Sequence, residues 1–215
     1  GDPINLGTGN EYRDDADYDL GALSFHRYYN SHAAVVSSHI GVHWRHSFDR
    51  SLEYLSDGTT STAIVFRPDG LQVTFTLQTG QWTTDTDVAN RLTTQTDTAG
   101  AITGWLYVDA STRYQEAYDA NGNLLSITDT NGQVTTLAYS TASTPTSIAP
   151  SAGLLLTVAD PRGRSLNFTY DAQGNVATVT QPDGGVLGYA YDANGHLVTV
   201  TYPDTKTRQY VYNES

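Results

Sequence analysis

Short runs of alternating hydrophobic and polar residues cover most of the chain, and clusters of Gly, Asn and Asp separate them. Alternation with a period of two predicts β-strands, whereas no long stretch shows the period of about 3.6 residues that marks an α-helix. In residues 63–77, Asp69 and Gly70 lie between two such runs and predict a hairpin, because turn residues of this type tolerate positive φ. The sequence therefore predicts an all-β protein of antiparallel β-hairpins with almost no helix.

A phrase with a period of 21 residues, bounded by Tyr, returns in the second half of the chain. Its copies cover residues 118–139, 170–191 and 191–212. Gly preceded by Asn, Gln or Asp recurs about every ten residues, so each copy predicts two strands and two turns. The predicted turn residues are Asn121, Gly122, Asn131, Gly132, Gly174, Gly184, Asn194 and Gly195.

Alternation within the copies also predicts which residues share a face of the sheet. On the first strand of each copy, apolar residues occupy every second position, and Ser126, Thr178 and Thr199 fall on the opposite face. One face is therefore expected to be apolar, with the members Leu125, Ile127, Ala177, Val179, Val198 and Val200.

The second strand of each copy carries large residues at every second position, counted back from the closing Tyr. Stacked hairpins would bring these side chains into an aromatic ladder, because a single repeat cannot bury its own apolar face. Tyr faces can also stack on sugar rings, so a sugar-binding ladder is the alternative. The predicted ladder comprises Tyr118, Tyr139, Phe168, Tyr170, Tyr189, Tyr191, Tyr210 and Tyr212.

The pattern divides the chain into three segments. Residues 1–57 contain no repeat, residues 58–117 predict connecting hairpins, and residues 118–215 contain the repeats. Within the repeats, the Ser-, Thr- and Pro-rich residues 140–153 predict an exposed loop. The tetrapeptide "DPRG" at 160–163 leads into another repeat strand, so it predicts a turn in which Pro fixes φ and Gly supplies a positive φ.

Composition and charge narrow the classes of partner. Lys and Arg number 11 against 23 Asp and Glu, and the net charge of -12 argues against binding to nucleic acid or to an anionic membrane. The longest apolar run, which starts at Gly153, is far shorter than the roughly 20 residues of a membrane-spanning helix. No signal segment is expected at the start, and the absence of Met predicts a piece of a longer protein. The chain has no Cys, which excludes disulfides and thiolate chemistry.

Five histidines crowd into the first segment and raise the question of a metal site. His43 and His46 could both ligate zinc with a nearby acidic residue, but a zinc site needs three or four converging ligands. Strand alternation would place some of the histidines on opposite faces. We therefore expect hydrogen-bonded structural histidines and no metal at His26, His32, His39, His43 and His46.

An acidic run and the scattered carboxylates are the remaining candidates for chemistry. Asp14, Asp15, Asp17 and Asp19 could ligate calcium, but they lack the glycine turn and terminal Glu of an EF-hand, and a solvated acidic loop is the alternative. No G-x-S-x-G elbow and no glycine-rich phosphate loop occurs, and nothing places two carboxylates in one cleft. The sequence predicts no catalytic residue, no cofactor and no enzyme.

The opening of the chain and its repeats resemble one known family. The repeats "YDANGN", "YDAQGN" and "YDANGH" resemble the YD repeat of Rhs proteins, and "GDPINLGTGNEY", "LSFHRYYNSH" and "IGVHWRHSFDRSLE" resemble the sequence that precedes these repeats in bacterial Rhs polymorphic toxins. His43 stands where the family pattern has Gly, and this difference bears only on whether the local turn has the conformation of the family. The matching N-terminal motif comprises Asp2, Pro3, Thr8, Gly9, Asn10, Arg27, Tyr29, Asn30, Ser31, Trp44, His46 and Ser47.

The resemblance implies a spiral of β-hairpins that forms a shell around a C-terminal toxin, of which this chain would be an arc or cap. It further implies type VI or related secretion from a bacterium, loading from the cytoplasm, and a final location outside the cell or at its surface. The expected partners are the rest of the parent chain, its toxin and the secretion apparatus or its adaptor. Two alternatives remain: a cell-surface adhesion or carbohydrate-binding module that binds glycans, and a wall-associated scaffold without cargo.

Overall fold

The computed structural model describes residues 10–32 and 39–212. These residues form eighteen β-strands and one 3-10 helix, Gly21–Leu23. The paired strands run antiparallel, which confirms the predicted all-β class. Within the described residues, no helix combines the length and apolarity needed to cross a membrane. The spiral and arc expected from the resemblance stay predictions.

The chain divides into two compact units. Unit 1 comprises residues 1–47 and 138–215, and unit 2 comprises residues 48–137. The three segments with bounds at residues 57 and 117, which rest on the composition of the sequence, stay predictions. In the structure, the N-terminal segment forms one compact unit with the later repeats, although about 90 residues of chain separate them.

Unit 1 contains an N-terminal sheet and a series of repeat strands. The N-terminal sheet has the order β1-β2-β3, and the repeat strands adjoin one another in chain order from β13 to β18. The strands are β1 (Tyr12–Tyr18), β2 (Phe25–Asn30), β3 (Trp44–His46), β13 (Leu155–Ala159), β14 (Ser165–Tyr170), β15 (Val176–Thr180), β16 (Val186–Tyr191), β17 (Leu197–Thr201) and β18 (Thr207–Gln209).

Unit 2 contains a four-stranded sheet of order β4-β5-β6-β7 and a further run of strands from β8 to β12 in chain order. The predicted hairpin at Asp69 and Gly70 joins β5 to β6 and is confirmed. The strands are β4 (Ser51–Ser56), β5 (Ser61–Phe66), β6 (Gln72–Gln78), β7 (Gln81–Thr83), β8 (Arg91–Thr96), β9 (Ile102–Val108), β10 (Gln115–Asp119), β11 (Leu124–Thr128) and β12 (Val134–Tyr139), the last of which crosses the unit boundary.

The repeat turns follow a five-residue pattern with Asp first and Gly fourth. The Asp119 N–H donates to the Asn123 carbonyl (2.9 Å), and the Gly122 N–H donates to the Asp119 carbonyl (3.1 Å). Asp119 Oδ1 also accepts the N–H groups of Asn121 and Asn123, both at 2.9 Å. Within this turn only Gly122 has a positive φ, of 83°, as in a type I turn followed by a left-handed residue. The same backbone hydrogen bonds form in turns that start at Asp129, Asp160, Asp171 and Asp192 and, with Gln in the first position, at Gln181.

A β-bulge in the first strand of each repeat overturns part of the predicted apolar face. Tyr170 pairs with Val176 but Thr169 pairs with Thr178, so Ala177 is an extra residue in its strand. The extra residue shifts the phase of the alternation by one position. Val176 is therefore fully buried beside Val179, whereas Ala177 is only half-buried.

The same bulge recurs in the other copies. Leu125 and Val198 are the extra residues there, and Leu124 and Leu197 are the buried ones. Leu125 is 43% exposed. The predicted face is thus wrong at Leu125, Ala177 and Val198, is confirmed at the buried Val179 and Val200, and includes the half-buried Ile127.

The interrupting loop and the "DPRG" turn have the predicted character. Residues 140–153 contain turns and no strand. In the turn that starts at Asp160, the Gly163 N–H donates to the Asp160 carbonyl (3.0 Å), and Gly163 has a φ of 77°. Asp160 Oδ2 accepts two hydrogen bonds from the Arg164 guanidinium, at 2.8 Å and 2.6 Å. The tetrapeptide is therefore an ordinary repeat turn closed by its own carboxylate.

We expect Gly122→Ala to destabilise unit 2 far more than Gly132→Ala. Both glycines have positive φ, 83° and 76°, so each substitution introduces left-handed strain of about 1–2 kcal/mol. A methyl group at Gly122 would in addition overlap the Leu52 carbonyl oxygen, whereas open space surrounds the corresponding position at Gly132. Urea unfolding of both variants measures the difference, and equal losses of unfolding free energy would contradict the close approach at Gly122.

Candidate functional site

The strongest concentration of buried polar and aromatic groups lies where the N-terminal sheet packs on the repeat strands of unit 1. Register within the sheet brings Arg27 of β2 opposite Asp15 of β1 and opposite His46 of β3. Because alternate residues share a face, Phe25 and Arg27 both point toward the repeats. Both residues are fully buried.

Arg27 is the central charged residue of this contact. Its Nε and Nη2 donate to Asp17 Oδ2 and Oδ1, at 2.5 Å and 2.9 Å. The guanidinium also lies over the Trp44 ring, 4.8 Å from its centroid. Burial by itself lowers the pKa of Arg27, but the hydrogen bonds and the charge of Asp17 outweigh it and raise the pKa above its ordinary value. Arg27 is therefore a permanent buried cation.

Tyrosines of the repeats add hydrogen bonds to Arg27 and to its carboxylate partners, while Arg27 Nη1 is a buried donor without a hydrogen bond among the described residues. Tyr210 accepts a hydrogen bond from Arg27 Nη2 (2.9 Å) and donates to Asp15 Oδ2 (2.7 Å). Tyr189 donates to Asp17 Oδ2 (2.9 Å). Burial, and then the charge of Asp17, raise the pKa of Tyr189 well above its ordinary value, so its hydroxyl stays a donor. We call Asp15, Asp17, Arg27, Tyr189 and Tyr210 the Arg27 cluster.

Aromatic packing joins the same two parts of unit 1. The Phe25 ring lies 5.7 Å from Phe168 and 6.5 Å from Tyr189, and Trp44 lies 5.0 Å from Tyr210, all between centroids. One row of the predicted ladder, Phe168, Tyr189 and Tyr210, is therefore covered by the N-terminal sheet. Its aromatic faces stabilise a contact inside the protein.

The second row of the ladder, Tyr170, Tyr191 and Tyr212, has a different role. Each hydroxyl donates to the backbone carbonyl 15 residues earlier. The acceptors open the first strand of each hairpin, so the Tyr hydroxyl closes the end of the hairpin opposite the turn. Val176 and Leu197 also lie next to the bulges. The acceptors and distances are Leu155 (2.7 Å), Val176 (2.8 Å) and Leu197 (2.8 Å).

The two remaining ladder residues lie outside this arrangement. Tyr118, in unit 2, is fully buried and donates to Glu116 Oε2 (2.6 Å). Glu116 also forms ion pairs with Arg50 and Arg67, and these charges outweigh its burial and lower its pKa below the ordinary value. Tyr139 ends β12 and is half-buried. Tyr118 therefore belongs to a separate buried ion-pair network.

The N-terminal motif is structural where it is described. Ser31 Oγ accepts the Glu11 N–H (2.9 Å) and contacts Asn10 Oδ1 (3.1 Å), and Asn30 Oδ1 accepts the His32 N–H (3.2 Å). Further along, Ser47 Oγ accepts the His26 N–H (2.8 Å), while Tyr29 packs on Trp44 at 5.2 Å. Asp2, Pro3, Thr8 and Gly9 lie outside the described residues.

His43, which replaces the Gly of the family pattern, has a φ of 63°. This value lies in the left-handed region that favours glycine, so the family pattern has a backbone reason for Gly at this position. The turn nevertheless forms, since the Trp44 N–H donates to the Gly41 carbonyl (3.0 Å).

The histidine and aspartate clusters are dispersed among other partners. His26 pairs with Asp14 (2.8 Å), His39 contacts the Gly174 carbonyl (2.8 Å), and Asp19 accepts a hydrogen bond from Ser24. In the part of the chain that the structure describes, no group of three His, Asp or Glu residues could hold a metal ion.

We expect Tyr170→Phe to lower the free energy of unfolding by about 1–3 kcal/mol, because it leaves the buried Leu155 carbonyl without its donor. Tyr170→Ala should lower it by about 3–5 kcal/mol, because it also leaves a cavity. Urea unfolding followed by fluorescence measures both, and the exposed Tyr114→Phe serves as the control. Loss in Tyr170→Ala with none in Tyr170→Phe would show that only ring packing matters.

We expect Arg27→Met to lower the free energy of unfolding by about 3–5 kcal/mol, because it leaves the buried Asp17 carboxylate without its cation. Arg162→Met, on the exposed "DPRG" turn, is the matched control and should change stability by about 0.5 kcal/mol or less. Adding Asp17→Asn to Arg27→Met should recover part of the loss. Equal unfolding midpoints for Arg27→Met and the wild type would contradict a central role for the Arg27 cluster.

Comparison with known families gives two independent matches. Residues 1–75 match the family described as "Domain of unknown function (DUF6531)". Residues 118–149 and 150–186 match the family "RHS Repeat". No curated protein matches the chain. The N-terminal match ends within β6 of unit 2. The repeat matches include the turns from Asp119 to Gln181 and the ladder residues Tyr118, Tyr139, Phe168 and Tyr170. The chain therefore belongs to the Rhs/YD-repeat proteins.

Proposed function

We propose that this chain is a non-catalytic wall segment of an Rhs-type shell that encloses a C-terminal toxin of its parent protein and helps to deliver it in bacterial competition. The observation that carries the proposal is the self-contained repeat hairpin. In the hairpin from Leu155 to Tyr170, the Asp160 carboxylate accepts backbone N–H groups of the turn, and the Tyr170 hydroxyl donates to the Leu155 carbonyl at the open end. Because both devices are local, each hairpin can be added to the previous one without a new core.

The apolar side chains explain why a hairpin nevertheless needs a second layer of structure. Val176, Val179 and Leu187 are fully buried within one hairpin, and such a narrow ribbon cannot exclude water from them alone. In unit 1 the N-terminal sheet covers this face, since Val179 is the register partner of Phe168 and Phe168 contacts Phe25. The hairpins themselves pair side by side in chain order from β13 to β18, and further copies can lengthen such a sheet, as the wall of a container requires.

The buried charges support a structural role. In unit 1, Arg27 pairs with Asp17, and Arg208 pairs with Asp15 at 2.7 Å. In unit 2, Glu116 is held by two arginines and a tyrosine. Charges that are neutralised by neighbouring side chains maintain a fold and are poorly suited to attack a substrate. The repeat family points in the same direction, toward a non-catalytic segment.

Sugar binding by the ladder has less support. Tyr170, Tyr189 and Tyr210 are 6%, 8% and 8% exposed, so their faces are unavailable to a sugar ring. The remaining members of the two rows donate hydrogen bonds to backbone carbonyls or contact the N-terminal sheet.

Location and partners follow from the same proposal. Proteins with RHS repeats are typically extracellular or found at the cell surface. We propose that the parent chain is loaded in the bacterial cytoplasm, engages a type VI or related secretion apparatus or its adaptor, and is released with its cargo. In this proposal the partners are the rest of the parent chain and the toxin.

The test uses the full parent protein with its C-terminal domain, treated with protease under native conditions and followed by mass spectrometry. We expect the C-terminal domain to survive much longer than in a urea-unfolded sample, because the wall excludes the protease. A parent protein that lacks residues 118–215 is the control and should lose this protection.

A C-terminal domain that is digested at the same rate in the native and the unfolded samples would overturn enclosure. Protection that persists without residues 118–215 would instead show that this segment is not part of the wall. Mass spectrometry of the full parent protein tests the enclosure, and the same measurement on the deletion tests the role of the repeats.

A further inference from the structure

One titratable side chain lies at the centre of the contact between the N-terminal sheet and the repeats. The His46 ring of β3 lies 5.3 Å from Phe25 of β2 and 5.8 Å from Phe168 of β14, between centroids. Phe25 and Phe168 contact each other at 5.7 Å, so the three rings form a closed triangle. His46 is 5% exposed. Its imidazole thus packs in a largely apolar environment that favours the neutral form.

The charged groups near His46 make a second positive charge unfavourable. Arg27 is its register partner on β2, and the Asp17 carboxylate near Arg27 already accepts hydrogen bonds from that guanidinium with both oxygens. His39 and Arg45 also disfavour a positive charge on the imidazole. On the repeat side, β14 contributes Tyr170, which is engaged with the Leu155 carbonyl. Burial first, and then His39 and Arg45, lower the pKa of His46 to about 3.

We propose that the His46 contact is an acid-sensitive latch, in which mild acid releases the N-terminal sheet from the repeats of unit 1. The docked form holds neutral His46 between two phenylalanines. The released form exposes the imidazole to water, where it binds a proton. This device does not depend on the proposed shell, because it uses only contacts within unit 1.

The sign of the effect follows from linkage. A histidine whose pKa is depressed in the docked form stabilises docking at pH values above its ordinary pKa of about 6.5, and this contribution falls as the pH drops below that value. Between pH 7 and pH 5 the equilibrium constant for release should rise about 25-fold, since only the released form binds the proton in this range. Ordinary carboxylates, with pKa values near 4, remain largely ionised in the same window.

Hydrogen–deuterium exchange of the whole chain tests the latch. Protection factors, corrected for the intrinsic pH dependence of exchange, should fall about 25-fold between pH 7 and pH 5 at the amides of β2 and β3. The amides of β4 and β5, in unit 2, are the internal reference and should keep their protection. Wild-type protection at β2 and β3 that is equal at both pH values would overturn the proposal.

Two variants separate His46 from the other histidines. His46→Phe keeps an aromatic ring in the triangle and removes the titrating group, so its protection factors should be independent of pH between 7 and 5. His26→Gln changes a partly exposed histidine of the same sheet and should keep the wild-type response. An acid response that persists in His46→Phe, or that disappears in His26→Gln, would assign the effect elsewhere.

A measurement on the wild type guards against a misfolded variant. The imidazole proton resonances of the docked protein, followed by nuclear magnetic resonance, should show no titration of His46 down to pH 5. A His46 resonance that titrates near pH 6.5 in the docked protein would overturn the latch, because the docked form would then bind the proton as well as the released form does.

Discussion

The burial of the Arg27 guanidinium is the constraint on which unit 1 depends. A cation can be removed from water only where other groups replace its hydration, and here Asp17, Tyr210 and the Trp44 ring do so. These partners come from β1, from the chain after β18 and from β3, and more than 180 residues separate Arg27 from Tyr210. The N-terminal sheet and the last repeat must therefore be in place together before the charge is satisfied.

The aromatic ladder serves this constraint and the repeat at the same time. Tyr189 and Tyr210 point their hydroxyls at the carboxylates of β1, while their rings pack beneath the N-terminal sheet. Tyr191, two residues after Tyr189, donates instead to Val176 in its own hairpin. One residue type thus stabilises two levels of structure, because the side chain combines a large apolar face with one hydrogen-bonding group.

Local features of the fold could be predicted from the sequence, and features that depend on distant partners could not. Turns at Gly122 and Gly195 are determined by a few adjacent residues, and alternation was enough to predict antiparallel hairpins. The bulge at Ala177 is invisible to alternation, since one extra residue reverses the faces without changing composition. The partners of Arg27 could not be predicted either, because Tyr210 becomes its neighbour only after the chain has folded.

The bulge also determines which side chain the repeat buries and which carbonyl its tyrosine reaches. It turns Val176 onto the buried face beside Val179, and it leaves the Val176 carbonyl at the position that Tyr191 reaches. Strict alternation would instead bury Ala177, a smaller side chain, and would move this carbonyl out of register with the hydroxyl. Turn, bulge and tyrosine therefore act together, and the period of 21 residues repeats the combination in the copies 170–191 and 191–212.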